Sequence, residues 1–170
     1  MGIRKTTEQV INVASVPHRS PFRYPGGKTW LVPYVRKWLK SLPFLPHEFG
    51  EPYAGGAIVG LSVLFEDLAH KLKIVEIDED VASVWTTILS NQGGRLASKI
   101  ASFELTSDTV KWWLAQRPRT LFDRAFQTIL KNRVQRGGIM APGAGLVKRG
   151  ENGPGLVIGG PLPCAAVRLS

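Results

Sequence analysis

Glu51 and Glu76 are the residues whose types and positions suggest chemistry most directly in this chain. Glu51 comes just before a double-glycine turn in EPYAGGAIVG, and Glu76 ends an apolar segment in KIVEIDED. A glycine turn lets a cofactor approach the backbone, and a carboxylate at the end of the next strand can bind two ribose hydroxyls. Glu51 is placed to bind a cationic amino group. The stretch from Phe49 to Asp80 therefore predicts a pocket for an adenosine-type cofactor.

The same acids also have a purely structural interpretation. Glu51 could be a surface acid in a plain strand–turn–helix, and Asp78 or Asp80 could cap the helix that begins near Val81. We expect both kinds of role, filled by different residues. Glu76 is the candidate for the ribose hydroxyls, and Asp78 lies close enough in sequence to touch an adenine edge.

The segment PFRYPGGKT ends in Gly-Lys-Thr, as a phosphate-binding P-loop does. The first glycine of that motif would have to stand at Phe22, and no strand-like segment precedes it, so the spacing argues against a nucleotide triphosphatase. Lys28 could still approach a carboxylate or a stacked base. Tyr24 could offer its ring face to an adenine or a sulfonium, or it could simply pack in the core.

Apolar periodicity predicts the elements that must position these residues. We expect a helix over Thr29–Lys40 with an apolar stripe formed by Trp30, Leu31, Tyr34, Val35, Trp38 and Leu39. Two strands, one ending near Tyr53 and one over 72–77, flank a helix over about 57–67. A further helix follows over Asp80–Ser90, and this alternation predicts an α/β fold.

The rest of the chain divides by composition. Residues 1–20 read as a flexible arm, 21–93 as the cofactor-binding α/β part, and 94–136 as a helical insertion in three segments broken near 104–107 and at Pro118. Residues 137–160 contain nine glycines, which no regular helix tolerates. We expect 137–170 to be a disordered or truncated tail, or a functional loop.

Length and composition fit one cytoplasmic domain. The 170 residues are 44% apolar and 21% charged, which is ordinary for a globular protein. The apolar runs are too short to span a bilayer, and the N-terminal residues lack the apolar region of a signal peptide. A single cysteine, Cys164, excludes an internal disulfide and a cysteine-rich zinc site, and we expect no metal.

The net charge of +9 is concentrated in the C-terminal third. Residues 1–116 carry 13 basic and 11 acidic side chains, whereas residues 117–170 carry nine basic and two acidic ones. Such a basic segment suits a polyanion such as nucleic acid. A well-solvated helix face would have the same composition, and the charge alone leaves both interpretations open.

In their order, PFRYPGGK, EPYAGGAIVG and VEIDED resemble the Dam-like adenine-specific DNA methyltransferases, and ILKNRVQRGG with GLVKRGENG is similar to the segment that enters that family's DNA-recognition region. The resemblance covers about Pro21 to Gly155. It implies an incomplete Rossmann-like, S-adenosylmethionine-dependent methyltransferase sheet with a helical insertion, and methyl transfer to N6 of adenine in double-stranded DNA. It also implies a role for particular residues. The cofactor would contact Tyr24, Lys28, Glu51, Pro52, Tyr53, Ala54, Gly55, Gly56, Glu76, Ile77 and Asp78, and DNA would contact Arg117, Arg119, Arg124, Lys131, Asn132, Arg133 and Arg136.

One departure from the family is large. Its members need an Asp-Pro-Pro-Tyr loop, or an Asn-Pro-Pro-aromatic one, to hold the amino group of an extruded adenine, and this chain contains no such tetrapeptide. We therefore assign no catalytic residue. We expect a truncated, weakly active or inactive enzyme, with a C-terminal tail that could be a frameshift product. The alternative is a non-catalytic cofactor- or DNA-binding remnant, or one part of a split enzyme completed by a second chain.

Overall fold

The computed structural model describes residues 13–23, 27–135 and 138. Two single-turn 3-10 helices, Val13–Ser15 and Lys28–Leu31, precede or join the main elements. Those elements are α1 (Val32–Lys40), β1 (Glu48–Pro52), α2 (Ile58–Phe65), β2 (Lys71–Val75), α3 (Glu79–Ile88), α4 (Gly93–Ala101), α5 (Ser107–Ala115) and α6 (Leu121–Val134). The predicted alternation of helix and strand, and the three helical segments after residue 93, are confirmed.

A parallel pair of strands forms the sheet of the described chain. β1 pairs with β2 in the register Glu48 to Lys71 through Pro52 to Val75. Parallel neighbours need a crossover connection, which α2 supplies. The fold is therefore mixed α/β, as predicted from the sequence.

The sheet has one packed face and one bare face. Glu51 of β1 is buried, and Leu72 and Ile74 of β2 are half-buried against the helices, whereas the alternate residues of both strands are exposed. Side chains alternate between the two faces of a strand, so the exposed set lies on the opposite face. Parallel sheets are normally covered on both faces, and this one is covered on one face only by described residues.

One apolar core joins the α/β part to the C-terminal helices. Val84 and Trp85 of α3 belong to the same cluster as Leu96 of α4, Val110 of α5 and Phe126 of α6. The ammonium of Lys99 adds a polar contact to this core, lying 4.0 Å from the ring centroid of Trp113 and 4.5 Å from that of Phe126. Cations held over aromatic faces are attracted by the ring quadrupole. The α/β part and the helical part therefore share one core across the predicted boundary between residues 93 and 94.

The predicted apolar stripe is confirmed in part. Its aliphatic members Leu31, Val35 and Leu39 pack against the core, whereas Trp30, Tyr34 and Trp38 are 57%, 53% and 56% exposed. The helix is apolar on two faces, and α2 with Phe49 of β1 covers only the face that carries the aliphatic residues. Helical periodicity correctly predicted the stripe but not which side of the helix meets the core.

The N-terminal segment from residue 13 onward is packed, although the sequence predicted an arm up to residue 20. Arg19 Nη1 lies 2.7 Å from Glu66 Oε1 at the end of α2, and Arg36 of α1 binds the same carboxylate through two nitrogens, at 2.5 and 2.8 Å. This pair of arginines ties the segment to two helices. Residues 1–12 of the predicted arm, and most of the tail at 137–170, lie outside the described residues. Among the helices that are described, none has the length and apolar character to cross a membrane.

Candidate cofactor site

A cavity of about 240 Å³ lies where β1 and β2 end. In parallel α/β sheets, ligands bind beyond the carboxyl ends of the strands. The volume is slightly below the roughly 300–1,000 Å³ of most small-molecule sites. Its lining combines the turn after β1, the end of β2 and the N-terminal loop: His18, Ser20, Phe22, Gly27, Lys28, Thr29, Tyr53, Ala54, Gly55, Gly56, Ile58 and Glu76.

The turn between β1 and α2 has an unusual backbone. Tyr53, Gly55 and Ala57 adopt left-handed conformations, with φ of 50°, 51° and 49°. Glycine adopts this region without strain, but for the other two residues it costs about 1 kcal/mol or more each. The indole Nε1 of Trp85 donates to Gly55 O at 2.8 Å and fixes the turn from α3. Residues held in such conformations cluster at functional sites, so the turn marks this end of the sheet.

Glu76 connects the two strand ends. Its Oε2 accepts a hydrogen bond from Gly55 N at 2.5 Å, and its Oε1 accepts from Ile77 N and Asp78 N, both at 2.9 Å. A carboxylate has about four lone-pair sites, so the three backbone donors leave acceptor capacity on a side chain that lines the cavity. That chemistry suits hydroxyl donors, such as the ribose of an adenosine.

Glu51 is buried, with 3% of its surface exposed, rather than a surface acid. Its Oε2 accepts from Gly60 N at 2.6 Å, and its Oε1 lies 3.2 Å from Lys28 Nζ. The first turn of α2 leaves backbone N–H groups without partners in the helix, and Ala57 at its N-cap provides no side-chain acceptor. Glu51 therefore caps α2 from the neighbouring strand.

Lys28 takes the position in which a cationic ligand group was expected. Besides its pairing with Glu51, its Nζ donates to Pro52 O at 3.1 Å and to Tyr53 O at 2.7 Å. The ammonium thus joins the N-terminal loop to the end of β1. A ligand's cationic group would meet an ion pair rather than a free carboxylate at this point.

Asp78 performs the capping role that the sequence left open. Its side chain accepts from Asp80 N at 2.9 Å and from Val81 N at 3.2 Å, as an N-cap residue does. Glu51, Pro52, Ile77 and Asp78 do not line the cavity, and Ile77 is 82% exposed. Of the predicted cofactor residues, the cavity brings together Lys28, Tyr53, Ala54, Gly55, Gly56 and Glu76. Tyr24 lies outside the described residues.

His18 and Ser20 belong to the cavity but were missed by the sequence interpretation. A Cβ added to Gly56 would lie 2.5 Å from Ser20 Oγ, so the N-terminal segment approaches the turn directly over this glycine. The segment has no periodicity that would indicate packing. In the sequence, the double glycine at positions 55 and 56 was the only indication that another segment approaches this turn closely.

Four of the predicted DNA-contacting residues form two pairs with different surroundings. Arg117 and Arg119, between α5 and α6, are exposed and form no ion pair within the described chain. Arg124 lies 2.6 Å from Glu79, and Lys131 lies 3.4 Å from Asp80, so these two join α6 to the start of α3. Their charge is therefore partly compensated inside the protein.

Asn132 and Arg133 lie where α6 meets the N-terminal loop. Asn132 is 1% exposed; its Oδ1 accepts from Arg23 N at 2.8 Å, and its Nδ2 donates to Arg23 O at 2.7 Å. The amide is fully engaged with the backbone and fixes the loop next to Phe22, a cavity residue. Burial, and secondarily the charge of Arg23, lowers the pKa of the half-buried Arg133 guanidinium. Arg136 lies outside the described residues.

The sequence matches no protein-family model and no curated protein. Within the described residues, no three His, Cys, Asp or Glu side chains are grouped closely enough to bind a metal ion. The functional interpretation of the cavity therefore depends on its own residues, above all Glu76, Lys28 and the turn around Gly55.

Proposed function

We propose that this chain is the cofactor-binding portion of an S-adenosylmethionine-dependent, adenine-N6 DNA methyltransferase with a Rossmann-like sheet. The observation that carries the proposal is the cavity at the carboxyl ends of β1 and β2, with the Glu76 carboxylate on its wall and the left-handed turn at Gly55 beside it. Glu76 would accept the ribose hydroxyls, and the turn would lie under the methionine side of the cofactor. The ordered motifs in the sequence support the choice of family.

The chemistry of the residues that line the cavity suits such a cofactor. A carboxylate acceptor, small residues at 54–56 that permit close approach, and the apolar Phe22 and Ile58 line one cavity. S-adenosylmethionine would supply an electrophilic methyl group. The described residues would bind and orient the cofactor, and Lys28, through Glu51 and the carbonyls of Pro52 and Tyr53, would keep the strand end in place.

Binding of S-adenosylhomocysteine, measured by calorimetry on the full chain, tests the cofactor site. We expect saturable heat with the wild type, and its loss with Glu76→Ala. Glu104→Ala is the matched control, because Glu104 is exposed and its carboxylate forms no ion pair within the described residues. Equal binding by the Glu76 variant and the wild type would remove the assigned role.

Turnover is a separate question, because the sequence has no Asp-Pro-Pro-Tyr tetrapeptide to hold a target adenine. We propose little or no methyl transfer by these 170 residues alone. Transfer of tritium from labelled cofactor to adenine-rich duplex DNA tests this, and turnover by the isolated chain would contradict it.

A non-catalytic remnant, or one part of a split enzyme, is the second candidate. One face of the parallel sheet is not covered by any described residue, and this favours the split arrangement because parallel sheets are normally covered on both faces. A remnant and a split enzyme both predict cofactor binding without turnover. They differ in whether a second chain that contains the missing loop restores methyl transfer when mixed with this one.

A further inference from the structure

The outer face of α1 and of the turn before it carries three exposed aromatic rings in a row. Trp30, Tyr34 and Trp38 follow one another at four-residue spacing, and each exposes more than half of its surface. Four residues of helix advance about 6 Å, and the rings of Trp30 and Tyr34 have centroids 6.4 Å apart. We call these three residues the aromatic row. Large apolar side chains that share one exposed face commonly mark an interaction site.

The charged side chains in the chain segment that carries the aromatic row are all basic. Residues 28–47 contain four basic side chains and no acidic one. Two of these cations are used internally, Arg36 by Glu66 and Lys28 by Glu51. Lys37 and Lys40 are exposed on the same helix, and neither forms an ion pair with another described residue. The face therefore complements a polyanion with stackable groups.

The orientation of the rings distinguishes single-stranded from duplex nucleic acid. The planes of Trp30 and Tyr34 are inclined by 71° in an edge-to-face contact, whereas the bases of a duplex lie parallel and follow one another at about 3.4 Å per strand. Bases that stack on these two rings must therefore be unstacked from each other. Single-strand binders combine such aromatic platforms with a basic groove along the backbone.

The aromatic row begins at the cavity described above. Thr29 lines that cavity, and Trp30 is the next residue. A strand lying along α1 would therefore reach the cavity rim at one end. An enzyme that acts on an extruded base needs such an arrangement, because the target base enters the cavity while the protein binds the neighbouring bases of the strand.

We propose that the aromatic row, with Lys37 and Lys40, binds a single-stranded stretch of nucleic acid that leads to the cofactor cavity. The role of this binding in methyl transfer rests on the proposed function. The binding itself depends only on α1 and the turn before it. Bases would stack on the three rings, and the two lysines would contact the phosphates between them.

Titration with a short oligothymidylate, followed by quenching of tryptophan fluorescence and by anisotropy of a labelled strand, tests the proposal. This oligonucleotide contains no adenine, so binding does not require a methylation target. We expect Trp38→Ala and Tyr34→Ala each to weaken binding by roughly tenfold or more, and Trp38→Phe to retain most of the affinity. Lys37→Gln combined with Lys40→Gln should flatten the salt dependence by about two phosphate contacts.

Trp112→Ala is the matched control, because Trp112 is 58% exposed and lies on α5, which packs against α6. Its affinity should equal that of the wild type. Equal losses from Trp112→Ala and Trp38→Ala, or none from Trp38→Ala and Tyr34→Ala, would overturn the proposal. Two further results would also overturn it: a dimer in sedimentation that Trp38→Ala dissociates, or binding to phosphatidylserine vesicles but not to the oligonucleotide.

The two proposals fail separately. Glu76→Ala should lose the heat of S-adenosylhomocysteine binding and keep oligothymidylate binding, and Trp38→Ala should do the reverse. The ring substitutions are on an exposed face, and circular dichroism should show unchanged helix content.

Discussion

The Glu76 carboxylate accepts the backbone N–H of Gly55 at 2.5 Å, which joins the end of β2 to the turn after β1. The same side chain accepts from Ile77 N and Asp78 N. It is therefore a structural anchor of the turn as well as the proposed ribose ligand. The separation of these roles is the first experimental question.

Glu76→Gln should preserve the size of the side chain but replace one acceptor oxygen with a donor group. Either the N–H of Gly55 or the N–H groups of Ile77 and Asp78 would then lose their acceptor. We therefore expect the free energy of unfolding to fall by about 1–3 kcal/mol. Urea denaturation measures this value, and hydrogen exchange at Gly55, Ile77 and Asp78 shows where protection is lost. Unchanged protection at all three amides would contradict the anchoring role.

Gly60 allows α2 to lie against β2 and Glu51. A Cβ at this position would collide with Leu72 Cδ1 and lie 2.9 Å from Glu51 Oε2. We expect Gly60→Ala to destabilise the protein by about 1–3 kcal/mol through overpacking, despite alanine's better helix propensity.

Gly94→Ala is the control for the Gly60 substitution, since Gly94 is helical and exposed and a Cβ there would meet nothing within 4 Å. It should stabilise the protein by about 0.5–1 kcal/mol. Thermal and urea denaturation compare the two variants. Equal effects from both would show that α2 has more room than the structure indicates.

Glu66 makes stability depend on acid pH. Hydrogen bonds from Arg36, and then from Arg19, outweigh desolvation and lower the pKa of this carboxyl from 4.5 to about 2. A carboxyl whose pKa is lower in the folded state contributes stability above the unfolded-state pKa, and that contribution is lost as pH falls from about 4.5 towards 2. Since solvent screens this partly exposed cluster, we expect a contribution of about 1–2 kcal/mol.

Glu66→Gln should remove that part of the pH dependence. The difference in unfolding free energy between wild type and variant should be constant near neutral pH and should shrink over the acid range. Urea denaturation at several pH values checks this. A difference that stays the same from pH 6 down to pH 3 would contradict the assignment to Glu66.

Arg117 and Arg119 are predicted DNA contacts that are exposed and form no ion pair within the described chain. If duplex DNA binds this face, Arg117→Gln with Arg119→Gln should reduce the magnitude of the log–log salt slope by up to about 1.8, at 0.9 per phosphate. Arg124→Gln should change the slope less, because its guanidinium pairs with Glu79. Filter binding over a range of salt concentrations measures the slopes, and a change from Arg124→Gln as large as half of the double variant's change would argue against the distinction.

The sequence predicted the order of elements well because the spacing of apolar residues and the positions of glycines determine local structure. The helix and strand bounds around Gly55 and Glu76 follow directly from apolar alternation and the double glycine. The role of Glu51 was not predictable, because its partners Lys28 and Gly60 meet it only through the tertiary fold. The exposure of Trp30, Tyr34 and Trp38 was likewise hidden, since periodicity finds an apolar face but not the element that covers it.

The burial of Asn132 was also not predictable from the sequence, because it depends on a tertiary contact. An asparagine in a basic segment suggests a nucleic-acid contact, but its amide binds both backbone groups of Arg23, 109 positions earlier in the chain. No local signal reports such a distant contact. Asp78 is the opposite case, because capping depends on the next three residues and was among the alternatives drawn from the sequence.

Calorimetric titration of the full chain with S-adenosylhomocysteine tests the central claim most directly. The proposal predicts saturable binding of one molecule per chain, abolished by Glu76→Ala and unchanged by Glu104→Ala. Absence of heat at several temperatures with the folded wild-type chain would contradict the assignment of the cavity to this cofactor.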